Sequence, residues 1–120
     1  MARILVIDDD ESLRKMLGQM LVKAGHEVRL ARDGREGVLL FRQGPADLVI
    51  TDILMPEKEG IETILELRRE YPQVKILAIS RGGTVDPGTY LNMARDLGAD
   101  RTLGKPFSWS RLDEVLKELL

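Results

Sequence analysis

The chain has 120 residues, of which 43% are hydrophobic and 32% are charged, and its formal net charge is -2. This length and composition predict one globular domain with a single core. The absence of cysteine excludes disulfides and thiolate metal sites and favours the cytoplasm, and the lack of a basic block argues against nucleic-acid binding. Acidic residues 8–11 interrupt any signal sequence, and no apolar run is long enough to span a membrane.

The first half of the chain alternates between short apolar runs and amphipathic segments. Residues 3–7 (RILVI) predict a strand that is buried on both faces of a sheet. Apolar residues at helical spacing from Leu13 to Ala24 predict a helix, with Asp10 at or close to its N-cap and Gly25 just after its end. The elements that follow are an edge strand over 27–31, a helix over 33–42 and a strand over 48–52.

The second half repeats this alternation. Its predicted elements are a loop over 56–60, a helix over 61–71, a strand over 75–80, a glycine-rich loop over 81–88, a short helix over 90–97, a strand over 101–104 and a last helix that Ser108 caps.

Five strand–helix units predict an α/β fold in three layers, with a parallel five-stranded sheet between helices. The sequence contains no internal repeat and no linker, so residues 1–120 are expected to form a single domain. In such sheets ligands bind beyond the carboxyl ends of the strands. The polar residues that end the strands are therefore the candidate functional residues.

Four strand ends carry such residues, namely Asp8 and Asp9, Asp52, Ser80 and Lys105. In a parallel sheet these side chains meet at one edge. A site built from carboxylate oxygens favours a hard cation, and Mg²⁺ fits a site with few carboxylates. The hydroxyl and the ammonium suit phosphoryl oxygens, so the set predicts phosphoryl transfer to an aspartate. By themselves, Asp8 and Asp9 would be read as helix-capping residues.

The motifs VIDDDE, VITDILMP, LAIS and GKPF, at residues 6–11, 49–56, 77–80 and 104–107, resemble the receiver domain of two-component response regulators. The resemblance covers nearly the whole chain. It implies the doubly wound, flavodoxin-like fold with strand order 2-1-3-4-5 and a single receiver domain, with no output domain within residues 1–120. It also implies a cis peptide bond between Lys105 and Pro106.

The resemblance implies a role for each site residue. Asp52 is the phosphoacceptor, Asp9 a direct Mg²⁺ ligand, Asp8 its partner that often acts through water, Leu54 a ligand through its backbone carbonyl, Ser80 the switch hydroxyl and Lys105 the contact to the phosphoryl group. The metal is Mg²⁺, with Mn²⁺ as an alternative.

The implied function is reception of a phosphoryl group from a sensor histidine kinase, followed by a conformational change that signals to a partner or output domain. The kinase is expected near the first helix and the Asp52 edge. A second copy or a downstream protein is expected on the face of the fourth predicted helix, the fifth strand and the last helix. The domain catalyses only its own phosphorylation and slow dephosphorylation, so it is not an enzyme, and neither nucleic acid nor membrane is an expected partner.

Two positions depart from the family pattern. The residue three before the lysine is commonly aromatic and moves with the switch, but here it is Thr102, so only Tyr90 or Trp109 could supply a ring. The residue after the switch hydroxyl is commonly small, but here it is Arg81, which would either hinder the phosphodonor or contact the phosphoryl group. The glycine-rich stretch over 81–94 predicts an unusual fourth connection with a short helix.

Two alternative functions follow from these features. A degenerate receiver would bind partners without phosphorylation, which Arg81 and Thr102 favour. A small phosphohydrolase with an aspartate nucleophile would use similar groups, but its usual second acid is replaced here by Leu54.

Overall fold

The computed structural model describes residues 1–53, 59–81, 96 and 98–120. The elements are β1 (Arg3–Ile7), α1 (Glu11–Lys23), β2 (Glu27–Ala31), α2 (Gly34–Gln43), β3 (Leu48–Asp52), α3 (Glu59–Glu70), β4 (Lys75–Arg81), β5 (Arg101–Lys105) and α4 (Trp109–Leu119). Strands alternate with helices as predicted from β1 to β4 and from β5 to α4. The glycine-rich stretch over 82–94 and the short helix predicted over 90–97 lie outside the described residues, apart from Asp96 in a helical conformation.

Several predicted boundaries were wrong by one or two residues, including both ends of α2, which spans Gly34–Gln43 instead of 33–42. Helix α3 begins at Glu59, inside the predicted loop, because Gly60 is part of the first helical turn instead of a turn between elements. Strands β4 and β5 each continue one residue further, to Arg81 and Lys105, which pair with each other in the sheet. The pairing of neighbouring strands therefore decided where these two elements end.

The five strands form one parallel sheet in the order β2-β1-β3-β4-β5, which confirms the predicted doubly wound fold and the edge position of β2. The register aligns the carboxyl ends of the inner strands. Ile7 at the end of β1 lies opposite Thr51, and Asp52 at the end of β3 lies opposite Ile79. Side chains that follow these positions consequently project from the same edge.

Among the described residues, two helices pack on each face of the sheet, and each interface has its own apolar cluster. One face packs Leu5 and Ile7 of β1 with buried residues of α2 and α3, namely Val38, Phe41, Ile64 and Leu67. The other packs Ile4 and Val6 with residues of α1 and α4, namely Leu17, Leu21, Leu112, Val115 and Leu116. Alternation of side chains along β1 divides the core into these two layers. No helix in the described ranges is both long and apolar enough to cross a membrane.

In the described part of the chain, three helices begin at side-chain N-caps. The carboxylate of Asp10 accepts from the N–H of Leu13, and the Ser108 hydroxyl accepts from the N–H of Arg111, as predicted. Asp33 caps α2 in the same way. Gly25 follows α1 with φ at 97°, a left-handed conformation that glycine adopts without steric cost, so this helix ends where the sequence predicts.

Candidate functional site

The carboxyl ends of the strands bring the predicted acids and lysine together. Asp8 directly follows β1, Asp52 ends β3 and Lys105 ends β5. The Nζ atom of Lys105 lies 2.9 Å from Oδ2 of Asp8 and 2.9 Å from Oδ2 of Asp52. The peptide bond after Lys105 is cis, as predicted. One ammonium therefore bridges two carboxylates that are far apart in the sequence.

These three side chains are removed from solvent. Asp8 is 0% exposed, Asp52 is 1% exposed, and the side chain of Lys105 is 9% exposed. Burial of a charged group is unfavourable unless a counter-charge and hydrogen bonds replace the lost water. The bridge by Lys105 supplies one positive charge for the two buried negative charges.

Hydrogen bonds to the main chain fix the orientation of Asp8. Its Oδ1 atom accepts from the N–H of Asp10 at 2.8 Å, and its own N–H donates to the carbonyl of Ala31 at 3.1 Å. The guanidinium of Arg14 donates to the Asp8 carbonyl at 2.8 Å. The loop from β1 to α1 is therefore fastened both to β2 and to the first turns of α1.

Arg14 has a contact that the sequence reading missed. A signal was available, because an arginine in the early part of a helix opposes the preference of that end for negative charge. Such a placement indicates a specific acceptor nearby. The acceptor is the Asp8 carbonyl, which lies in the loop before the helix.

Burial raises the pKa of Asp8 above its ordinary value of 3.8. The N–H of Asp10 and the ammonium of Lys105 act in the opposite direction, and the neighbouring Asp52 carboxylate adds to the increase. The loss of hydration therefore outweighs the local hydrogen bonds. The site holds more negative charge than Lys105 compensates.

Asp9 completes a group that can hold a cation. It is exposed, and ligand oxygens of Asp8, Asp9 and Asp52 all lie within 4.8 Å of one another. Three carboxylates and one ammonium leave two negative charges uncompensated, which matches a divalent ion. A hard cation such as Mg²⁺ prefers these oxygen ligands and completes its shell with water. The residues present fit Mg²⁺.

The remaining predicted site residues have different outcomes. Ser80 is 0% exposed and lies on β4 opposite Gly104, next to the site.

Leu54, predicted as a backbone ligand, and Tyr90 lie outside the described residues. The side chain of Arg81 also lies outside them. Thr102 pairs with Ala78 and is half-buried, while Trp109 packs against the cluster under α1 and α4.

Replacement of Asp8 by asparagine is expected to stabilise the metal-free protein by about 1 kcal/mol at neutral pH, because Lys105 and Asp52 then form a balanced pair. The stability gained by the variant should vanish below about pH 3.8, where Asp8 is protonated in both the folded and the unfolded wild type. It should grow as the pH rises through the elevated folded-state pKa of Asp8, because the folded wild type must then carry the buried charge. Urea unfolding of both proteins in EDTA at several pH values measures this difference in stability.

The control for this change is Asp113→Asn on α4, which removes a carboxylate that pairs with Lys117 at the surface. That variant should unfold at nearly the wild-type denaturant concentration. Added Mg²⁺ should stabilise the wild type more than Asp8→Asn, because one ligand is lost. A metal-free Asp8→Asn protein that is less stable than the wild type at neutral pH would contradict the charge imbalance.

Comparison with known proteins places this arrangement in a family. The family model of the response regulator receiver domain matches residues 4–117. The chain is 35% identical over 120 residues to the transcriptional regulatory protein CpxR of Klebsiella pneumoniae, covering 100% of this chain and 50% of that protein. It is 36% identical over 118 residues to the response regulator MprA of Mycolicibacterium vanbaalenii, covering 98% and 48%. The chain thus spans about half the length of these relatives.

Solved structures agree with this result. The receiver domain of NtrX from Brucella abortus superposes with a TM-score of 0.90 at 28% identity, covering 98% of this chain and 97% of that one. The chemotaxis protein CheY4 of Vibrio cholerae gives a TM-score of 0.88 at 32% identity, covering 100% and 99%. The chain belongs to the response regulator receiver domains of two-component signalling.

Proposed function

We propose that residues 1–120 form one receiver domain in which Asp52 accepts a phosphoryl group from the phosphohistidine of a sensor histidine kinase. The observation that supports this most directly is the convergence of three carboxylates with Lys105, whose ammonium lies 2.9 Å from Asp52. A carboxylate nucleophile beside a cation site and a lysine has the groups that phosphoryl transfer needs.

In the proposed step, a carboxylate oxygen of Asp52 attacks the phosphorus atom while the P–N bond of the phosphohistidine breaks. The imidazole leaves with the bonding electrons and keeps the proton on its other nitrogen, and the product is an acyl phosphate. The ammonium of Lys105 donates to a phosphoryl oxygen, and the hydroxyl of Ser80 donates to another. Mg²⁺, held by Asp8, Asp9, Asp52 and the carbonyl of Leu54, would neutralise phosphoryl charge when bound.

In this proposal each chain accepts one phosphoryl group at a time. Slow hydrolysis of the acyl phosphate then ends the signal. Ser80 connects the site to β5, because it pairs with Gly104 beside Lys105. Rearrangement of the Ser80 hydroxyl toward the phosphoryl group would shift an existing equilibrium between two conformations. We propose that β5 and α4 carry this change to a partner protein, a second copy or an output domain, without the coupled aromatic ring that Thr102 replaces.

To test this, the protein is incubated with acetyl phosphate in the presence of Mg²⁺ or of EDTA. The mass of the intact protein is then measured by mass spectrometry. The expected result is the added mass of one phosphoryl group in Mg²⁺ and none in EDTA. Calorimetric titration of the same protein with Mg²⁺ separates two failures. Mg²⁺ binding without added mass would indicate that the site requires its kinase as donor, whereas no Mg²⁺ binding would favour the degenerate receiver.

A further inference from the structure

Gly60 in the first turn of α3 faces the main chain that carries Asp52. A Cβ atom at this position would lie 2.2 Å from the Asp52 carbonyl oxygen, 2.5 Å from Cα of Ile53 and 2.9 Å from the Ile53 carbonyl carbon. Nonbonded carbon atoms normally stay about 3.5 Å apart. Every residue other than glycine would therefore push α3 and the end of β3 away from each other.

The atoms that such a Cβ would meet have little room to yield. They are backbone atoms, so no side-chain rotation can relieve the overlap. The N–H of Ile53 donates to the carbonyl of Ile79 at 3.0 Å, and the Ile53 side chain is 2% exposed within the core. The end of β3 is thus held between β4 on one side and Gly60 on the other.

This contact reaches the proposed acceptor directly. The carbonyl that touches Gly60 belongs to Asp52, whose carboxylate lies 2.9 Å from Lys105 and within 4.8 Å of the oxygens of Asp8 and Asp9. Mg²⁺ requires nearly ideal octahedral geometry, and phosphoryl transfer requires an aligned nucleophile. A displacement of the backbone by a few tenths of an ångström would disturb both.

We infer that Gly60 is a positioning residue, which sets the location of the Asp52 carboxylate relative to the cation site and Lys105 through direct backbone contact. The expected effect of Gly60 on phosphorylation rests on the proposed function. Its effect on the position of the Asp52 backbone in the metal-free protein is independent of that function.

Gly37 provides a matched control. A Cβ atom at Gly37 in α2 would lie 2.3 Å from Cδ1 and 2.8 Å from Cγ1 of Ile7, so its shortest contact is nearly as close as the 2.2 Å contact at Gly60. Those atoms form the outer part of a side chain, which can change its rotamer without moving the backbone. Gly37→Ala should therefore perturb packing while leaving the strand ends in place.

The experiment compares Gly60→Ala, Gly37→Ala and the wild type by three readouts. In metal-free protein, the amide resonances of Asp52 and Ile53 should shift in Gly60→Ala and stay close to the wild type in Gly37→Ala. Mg²⁺ affinity and the rate of phosphorylation by acetyl phosphate at saturating Mg²⁺ should each fall by about 10–100-fold in Gly60→Ala. Both should stay within about 3-fold of the wild type in Gly37→Ala.

A folded Gly60→Ala protein with unchanged amide resonances and Mg²⁺ affinity would overturn the inference, as would equal losses in both variants. If the variant unfolds, the same spectra are recorded at about 5 °C in sucrose, which favours the folded state. Failure to fold even there would overturn the inference in favour of a purely structural glycine. If the wild type takes up no phosphoryl group, the proposed function fails, while the metal-free amide shifts still decide the role of Gly60.

Discussion

Replacement of Lys105 by methionine is expected to lower the free energy of unfolding of the metal-free protein by about 3–5 kcal/mol. Methionine has a similar length and packs well, but it carries no charge. The change leaves the buried carboxylates of Asp8 and Asp52 without the ammonium that lies 2.9 Å from each of them. Removal of one partner from a buried ionic group costs more than the original interaction contributes, because the remaining charges stay desolvated.

The same variant should show a strong dependence on pH. Without Lys105, Asp8 and Asp52 would repel each other, and the folded protein would bind protons more readily than the unfolded chain. Because burial already raises the pKa of Asp8 and loss of the ammonium removes an effect that lowers it, stability is regained on acidification and lost as the pH increases. Urea unfolding in EDTA should therefore show a larger deficit at about pH 8 than at about pH 5, and Mg²⁺ should restore part of it.

Lys117→Met in α4 is the control for loss of a lysine. The side chain of Lys117 is 77% exposed and its ion pair with Asp113 spans 3.2 Å at the surface, so the change should alter stability by about 0.5 kcal/mol or less. Equal denaturation midpoints for Lys105→Met and Lys117→Met would show that the buried bridge contributes nothing to the fold.

Asp52→Asn is expected to abolish phosphorylation by acetyl phosphate completely while leaving the protein folded. The amide lacks the carboxylate oxygen that would form the acyl phosphate. Loss of one negative charge leaves Lys105 paired with Asp8 at 2.9 Å, so the metal-free variant should be at least as stable as the wild type. Intact mass after incubation in Mg²⁺ measures the first effect, and thermal unfolding in EDTA measures the second.

Asp113→Asn serves as the matched control, since it makes the same chemical change at an exposed position. It should take up one phosphoryl group at the wild-type rate. Added mass on Asp52→Asn itself would contradict the assignment of the acceptor. Peptide mapping would then decide between Asp8 and Asp9, whose oxygens lie within 4.8 Å of those of Asp52.

Local sequence signals were sufficient for the order of the described strands and helices and for the ends of β1, β2 and β3. Apolar periodicity switches between the strand and helix repeats, and this local signal suffices because the described strands are short and the described helices each bury one face. Helix ends were predictable where a cap is local, as for Asp10 and Ser108, whose acceptor atoms lie three residues from their donors. The strand order came from the resemblance of four motifs to receiver domains, because pairing between strands leaves no local trace.

The contacts among the site residues, and the burial of their charges, follow from the tertiary structure. Lys105 bonds Asp8 across 97 positions of sequence and Asp52 across 53, and only the parallel register brings these atoms to 2.9 Å. The raised pKa of Asp8, the bond from Arg14 to its carbonyl and the contact of Gly60 with the Asp52 backbone likewise depend on burial and packing. These properties arise from the density of atoms around a residue, which its immediate neighbours in the sequence do not specify.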